Sequence, residues 1–101
     1  MTDEPATQIP IRHVVFFSCK DPADIDRVVD GLSMLADIPA VSHFEVRRNR
    51  AQDRFANDVD VIVYAEFADD AALRAYRAHP IYDACIDIVR PLRDMRIAAD
   101  F

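Results

Sequence analysis

Three histidines, three tyrosines and two cysteines are the stock of nucleophilic and proton-transferring side chains in this 101-residue chain. His13 sits among apolar residues, where an imidazole can shuttle a proton near neutral pH or act as a core histidine bonded to a backbone or tyrosine partner. Tyr76 and Tyr82 flank His79-Pro80; both can line an apolar pocket and donate a hydrogen bond to a ligand oxygen, or simply pack. His79, just ahead of a proline, suits a cap or a structural hydrogen bond, and His43 a solvated position. Cys19 and Cys85 make no CxxC pair; two half-buried thiols are expected, a disulfide being unusual in a reducing compartment. No His, Cys, Asp and Glu cluster has metal-ligand spacing, no glycine-rich loop could cradle phosphate, and no serine stands in a GxSxG turn. No metal and no cofactor is therefore expected. The local basic run is Arg47-Arg48-Asn49-Arg50 with Asp53-Arg54 nearby; it reads as a solvated hairpin that could steer an anionic ligand.

The elements that must position these groups follow from periodicity. Residues 1–10 read as a flexible tail. Ile11-Arg-His-Val-Val-Phe-Phe-Ser-Cys19 is β-branched and aromatic, a strand with Ile11, His13, Val15, Phe17 and Cys19 on one face and Arg12, Val14, Phe16 and Ser18 on the other. Asp21-Pro22-Ala23-Asp24 opens a helix with an acceptor cap and a proline at its first position. Ile25, Val28, Val29, Leu32, Leu35 and Ala36 form its apolar stripe, and Ile38-Pro39 ends it. Gly31 inside that helix costs about 1 kcal/mol relative to Ala, which points to close packing there.

A second strand over 41–49 places Phe44 and Val46 opposite His43, Glu45 and Arg47. A polar hairpin over 50–58 leads into a third strand over 59–67, with Val61, Val63, Ala65 and Phe67 on one face and Ile62 and Tyr64 on the other. Asp69-Asp70 caps a helix with Leu73 and Tyr76 inward; His79-Pro80 starts another, its inner stripe Ile81, Cys85, Ile88 and Leu92. A last strand closes the chain over 94–101. The order βαββααβ is α+β, the ferredoxin-like pattern with a four-stranded antiparallel sheet.

Hydrophobic residues make up 51% of the chain and charged residues 30%, with a single glycine, so a folded single domain is expected. A formal net charge of −6 disfavours nucleic acid and anionic membrane surfaces as partners. No apolar run approaches the ~20 residues of a membrane span, and the first residues are acidic where a signal peptide is basic and then apolar. A cytoplasmic location is expected.

In this topology right-handed crossovers put all helices on one side of the sheet. The other side carries Val14, Phe16, Ile62 and Tyr64 or, with the faces reversed, Val15, Phe17, Val63 and Phe67. At about 1.5–3 kcal/mol each when buried, either set is comparable with the stability of a small domain. A second copy packed face to face as a C2 homodimer, closing a barrel, is the natural cover.

Several stretches resemble the stress-responsive α/β-barrel (Dabb) family over residues 11–101. They are Ile11-Arg-His-Val-Val-Phe-Phe17, Ile38-Pro39-Ala40-Val41, Phe44-Glu-Val46, Asn49, Glu66-Phe67, Ala72 through Pro80, Ile88-Val-Arg-Pro-Leu92 and Asp100-Phe101. The resemblance implies a dimeric α/β barrel. It also implies a pocket between sheet and helices, for which His13, Val15, Phe17, Val63, Ala65, Tyr76 and Tyr82 are the candidate ligand-binding residues. His13, Tyr76 and Tyr82 are the candidate catalytic ones. A plant polyketide cyclase of the family uses a Tyr and a His, which fall on Tyr76 and Tyr82; a tyrosine, with a pKa of about 10, is a poor general base at neutral pH. Three readings follow: a homodimeric binder of a small apolar or phenolic molecule, a cofactor-free cyclase or antibiotic-biosynthesis-type monooxygenase, and a structural oligomerisation module.

Overall fold

The computed structural model describes residues 10–55 and 58–101. The tail reading of residues 1–9, and residues 56–57 of the expected hairpin loop, lie outside the described residues. Strands β1 (Ile11–Cys19), β2 (His43–Arg48), β3 (Val61–Phe67) and β4 (Arg93–Asp100) form one sheet in the order β2-β3-β1-β4, antiparallel throughout. Helices α1 (Ile25–Ser33), α2 (Asp70–Ala78) and α3 (Pro80–Val89) complete the ferredoxin-like α+β fold. Among the described residues no helix is long and apolar enough to cross a membrane.

Alternation in the strands decides what the helices cover. His13, Val15 and Phe17 of β1 and Val61, Val63, Ala65 and Phe67 of β3 are buried, packed on Val28 and Leu32 of α1, Leu73 and Tyr76 of α2, and Cys85 and Val89 of α3. Of the two face assignments left open by the sequence, the uncovered one is therefore Val14, Phe16, Ile62 and Tyr64, all half-buried. Ile97 of β4 pairs with Phe16 on this face and is 56% exposed. Their neighbours belong to the adjoining strands, Val14 standing opposite Tyr64 and Ala99, and Phe16 opposite Ile62 and Ile97.

Three expectations about the helices need correction. The single helix expected over 21–37 is a 3-10 turn at Pro22–Asp24, α1, and a second 3-10 turn at Met34–Asp37. Tightening from 3.6 to about three residues per turn shifts the phase, so Leu35 stays buried but Ala36 is exposed. On α3 the inner stripe runs through Val89, 3% exposed, rather than Ile88, 42% exposed, because Val89 is the residue one full turn after Cys85. Gly31 packs closely, as its position suggested: a Cβ built there would stand 3.0 Å from Cγ2 of both Ile88 and Val89. The missing side chain lets α1 and α3 meet.

Candidate functional site

Alternation groups His13 with Val15 and Phe17, the face of β1 that the helices cover, where the strand register sets Asp100 of β4 directly opposite. Its Nδ1 donates to Asp100 Oδ1 at 2.5 Å, and the other carboxylate oxygen lies 3.8 Å from Nη2 of Arg77 on α2. The imidazole is buried, 2% exposed. A carboxylate on Nδ1 fixes the ring orientation and leaves Nε2 available to a ligand.

Asp69 accepts a hydrogen bond from the Ala72 backbone N–H at 2.9 Å, fixing the start of α2 so that Leu73 and Tyr76, three apart, both turn inward. His79 ends α2 and caps α3, its Nδ1 accepting from the Ile81 N–H at 3.1 Å, which is the structural role its place before Pro80 suggested. Tyr82 then falls in the first turn of α3, with its ring 5.3 Å from that of Tyr76. Tyr76 in turn packs edge-on against Phe67 at 4.8 Å and His13 at 6.4 Å.

These groups border a cavity of about 380 Å³ between sheet and helices. His13, Val15, Phe17, Val63, Tyr76 and Tyr82 line it, together with Leu32, Leu35, Cys85, Ile86 and Val89. Ala65, included in the expected lining, does not reach it. It sits opposite His13 and beside Phe44 in the sheet, fully buried, and its methyl group is too short to extend past those neighbours.

Electrostatics assign what each group can do. Burial, helped by neighbouring Tyr82 and Cys85, pushes the Tyr76 phenol well above its ordinary value, so its hydroxyl stays protonated and acts as a hydrogen-bond donor. That hydroxyl has no hydrogen-bond partner among the described residues, yet none of their buried polar side-chain atoms is left unpaired, so it is open to the cavity it lines. Burial also pushes the Cys85 thiol up to about 11, which makes it an apolar wall rather than a nucleophile. Both cysteines are free thiols, Cys19 half-buried and Cys85 buried. Among the described residues no group of three His, Cys, Asp or Glu side chains could hold a metal ion.

Sequence reasoning missed the charged half of the site. Asp100 is 87 residues from His13 in the chain, and Arg77, Arg90, Arg93 and Arg96 all border the cavity. The signal for Asp100 was its place on a strand next to β1; for the arginines it was their recurrence along α3 and β4, which resembles an ordinary solvated edge. The basic run at 47–50, read as the local basic patch, does not border the cavity. Arg47 lies 3.6 Å from Glu45 and Arg48 pairs with Asp26. His43, expected to be solvated, holds Glu45 Oε2 at 2.7 Å and lies edge-on to Tyr64.

The profile of the stress responsive A/B barrel domain family (Dabb) matches residues 11–101. A Dabb family protein with a ferredoxin-like fold from Mesorhizobium loti MAFF303099 is 31% identical, with a TM-score of 0.76 over 91% of this chain and 94% of that one. A dimeric ferredoxin-like protein of unknown function from Thermobifida fusca YX is 29% identical, with a TM-score of 0.78 over 91% and 89%. SnoaB, a cofactor-independent oxygenase from Streptomyces nogalater, superposes with a TM-score of 0.68 over 91% and 90%. At 20% identity that likeness is one of fold. A comparison with curated proteins gives no match.

Proposed function

Since the chain belongs to the stress responsive A/B barrel domain family, we propose that residues 11–101 act as a homodimer whose subunits each bind one small apolar or phenolic molecule between sheet and helices. The observation that carries the ligand half is the cavity of about 380 Å³, within the range of small-molecule sites, with an aromatic wall and two polar groups, the Tyr76 hydroxyl and His13 Nε2, turned to it. A phenol hydroxyl can accept from Tyr76 and donate to an unprotonated Nε2. The dimer half is supported by the uncovered face, where Val14, Phe16, Ile62, Tyr64 and Ile97 leave a contiguous apolar surface of a kind that soluble monomers seldom expose. The Thermobifida protein is described as dimeric. Two free thiols suit a reducing, cytoplasmic setting.

The test measures sedimentation and thermal unfolding with 1-naphthol and resorcinol. A dimer is expected, with a rise in Tm for the wild type and none for Ile86→Trp, which fills the cavity from α3. Ligand at a hundredfold excess over Kd contributes about 2.7 kcal/mol to stability. A monomer at working concentration overturns the dimer, and equal shifts in wild type and variant overturn the site.

The pairing of His13 Nδ1 with the Asp100 carboxylate favours a second reading, cofactor-free proton abstraction from the bound molecule by His13 Nε2 with Tyr76 donating to the developing oxyanion. In that case Asp100→Asn abolishes turnover while dimer and binding survive. A structural module would show neither binding nor turnover.

A further inference from the structure

Four of the twelve Lys and Arg side chains of a chain with net charge −6 border one cavity. Arg77 is engaged by Asp100 at 3.8 Å. Arg90 caps the C-terminal end of α3, where its charge also answers the helix dipole. Arg93 and Arg96 have no such local role. They rise from β4 in register with Cys19 and Phe17, Arg93 half-buried, and neither has a carboxylate within ion-pair distance among the described residues. They are also close enough to oppose each other: burial, then the charges of Arg96 and Arg90, lower the affinity of Arg93 for its proton. Like charges gathered at an apolar cavity favour an anion there, even in an acidic protein.

We propose that the bound molecule carries a carboxylate, gripped at the cavity mouth by Arg93 and Arg96, with its apolar body lying inward against Phe17, Tyr76 and Tyr82. This rests on the binding reading above and names the class of ligand for the same cavity. Guanidinium forks match the two coplanar oxygens of a carboxylate. Among the lining residues no glycine-rich loop supplies the backbone N–H cradle that phosphate sites commonly use. The same cavity is lined by both the apolar wall and the arginines, so an aromatic or aliphatic acid satisfies both at once. A neutral phenol satisfies the wall and its two polar groups but leaves the arginines without a partner.

The experiment uses the full chain and three probes that share one body: 1-naphthoate, 1-naphthamide and 1-naphthol, titrated calorimetrically at low and high salt. Naphthoate is expected to bind at least about tenfold more tightly than naphthamide, from charge-assisted hydrogen bonds. Its advantage should shrink as salt rises. Arg93→Gln and Arg96→Gln should each remove most of that advantage and leave naphthol binding within about twofold; Arg93→Lys, which keeps charge but loses the fork, should fall between. Circular dichroism and sedimentation establish that the variants fold and assemble. Equal affinities for naphthoate and naphthamide overturn the carboxylate assignment while leaving the cavity reading standing. An advantage that survives both glutamine variants overturns the role of these arginines, as does loss of the dimer in them, which would place the arginines at the interface. No binding of any probe overturns the cavity reading, and this inference with it.

Discussion

The two faces of the sheet share their strands and differ in almost everything else. On the covered face His13, Val15 and Phe17 are buried against helices, and a cavity with a carboxylate-held imidazole opens between them. On the open face Val14, Phe16, Ile62 and Tyr64 are half-buried with no helix above, bordered on β2 by His43, Glu45 and Arg47. On the proposed function, alternate residues of β1 serve the cavity and the dimer face within one nine-residue strand. A shift of one residue in register would exchange the two roles.

The largest effect should come from placing the same charge on neighbouring residues of opposite faces. Val15→Asp buries an unpaired carboxylate among core side chains and should cost more than about 4 kcal/mol, leaving no folded protein by circular dichroism. Phe16→Asp should keep the fold but sediment as a monomer, with a Tm that no longer depends on concentration. If both variants unfold, the open face is part of the monomer core after all.

Alkali should act on the covered face next. The Cys85 thiol moves from 9.0 to about 11 in the folded protein, so between those values the unfolded chain loses a proton that the native one keeps. The unfolded state then binds fewer protons, and stability must fall as pH rises. Denaturant titration should register a loss of roughly 2 kcal/mol by pH 11 that Cys85→Ala lacks, compared with its own stability at pH 8. Tyr76, also raised, should extend the decline to higher pH.

The smallest effects separate two tyrosines. Tyr64 on the open face donates to Glu66 Oε2 at 2.6 Å, so Tyr64→Phe should lower stability by under about 1 kcal/mol and leave 1-naphthol binding unchanged. Tyr76→Phe removes a hydroxyl with no protein partner. Stability should therefore stay within about 0.5 kcal/mol, while calorimetry finds 1-naphthol bound several-fold more weakly.

Much of the fold was legible because its signals are local. Period-two alternation placed Phe44 and Val46 together, the His79-Pro80 step announced a cap between helices, and Gly31 marked the crowded crossing of α1 and α3. The stripe of α3 was misread at Ile88 because apolar residues crowd both flanks of that helix, so spacing alone does not select one. Six of the seven expected lining residues do border the cavity, since they sit on faces that alternation and helical period already grouped. The acidic and basic groups were not legible as site residues, because Asp100, Arg93 and Arg96 occupy positions that on any exposed edge strand would face water.

From the amino-acid order alone came the element sequence, the ferredoxin-like class, the aromatic and histidine candidates, and a sheet with more apolar surface than its helices can cover. Those are consequences of short-range patterns. The tertiary structure decided which face the helices took, that His13 meets a carboxylate from the far end of the chain, and that the arginines converge on one cavity. Such pairings depend on strand register and on how helices settle over a sheet. Both are set by packing among residues distant in the chain, for which β1, apolar on both sides, holds no local clue.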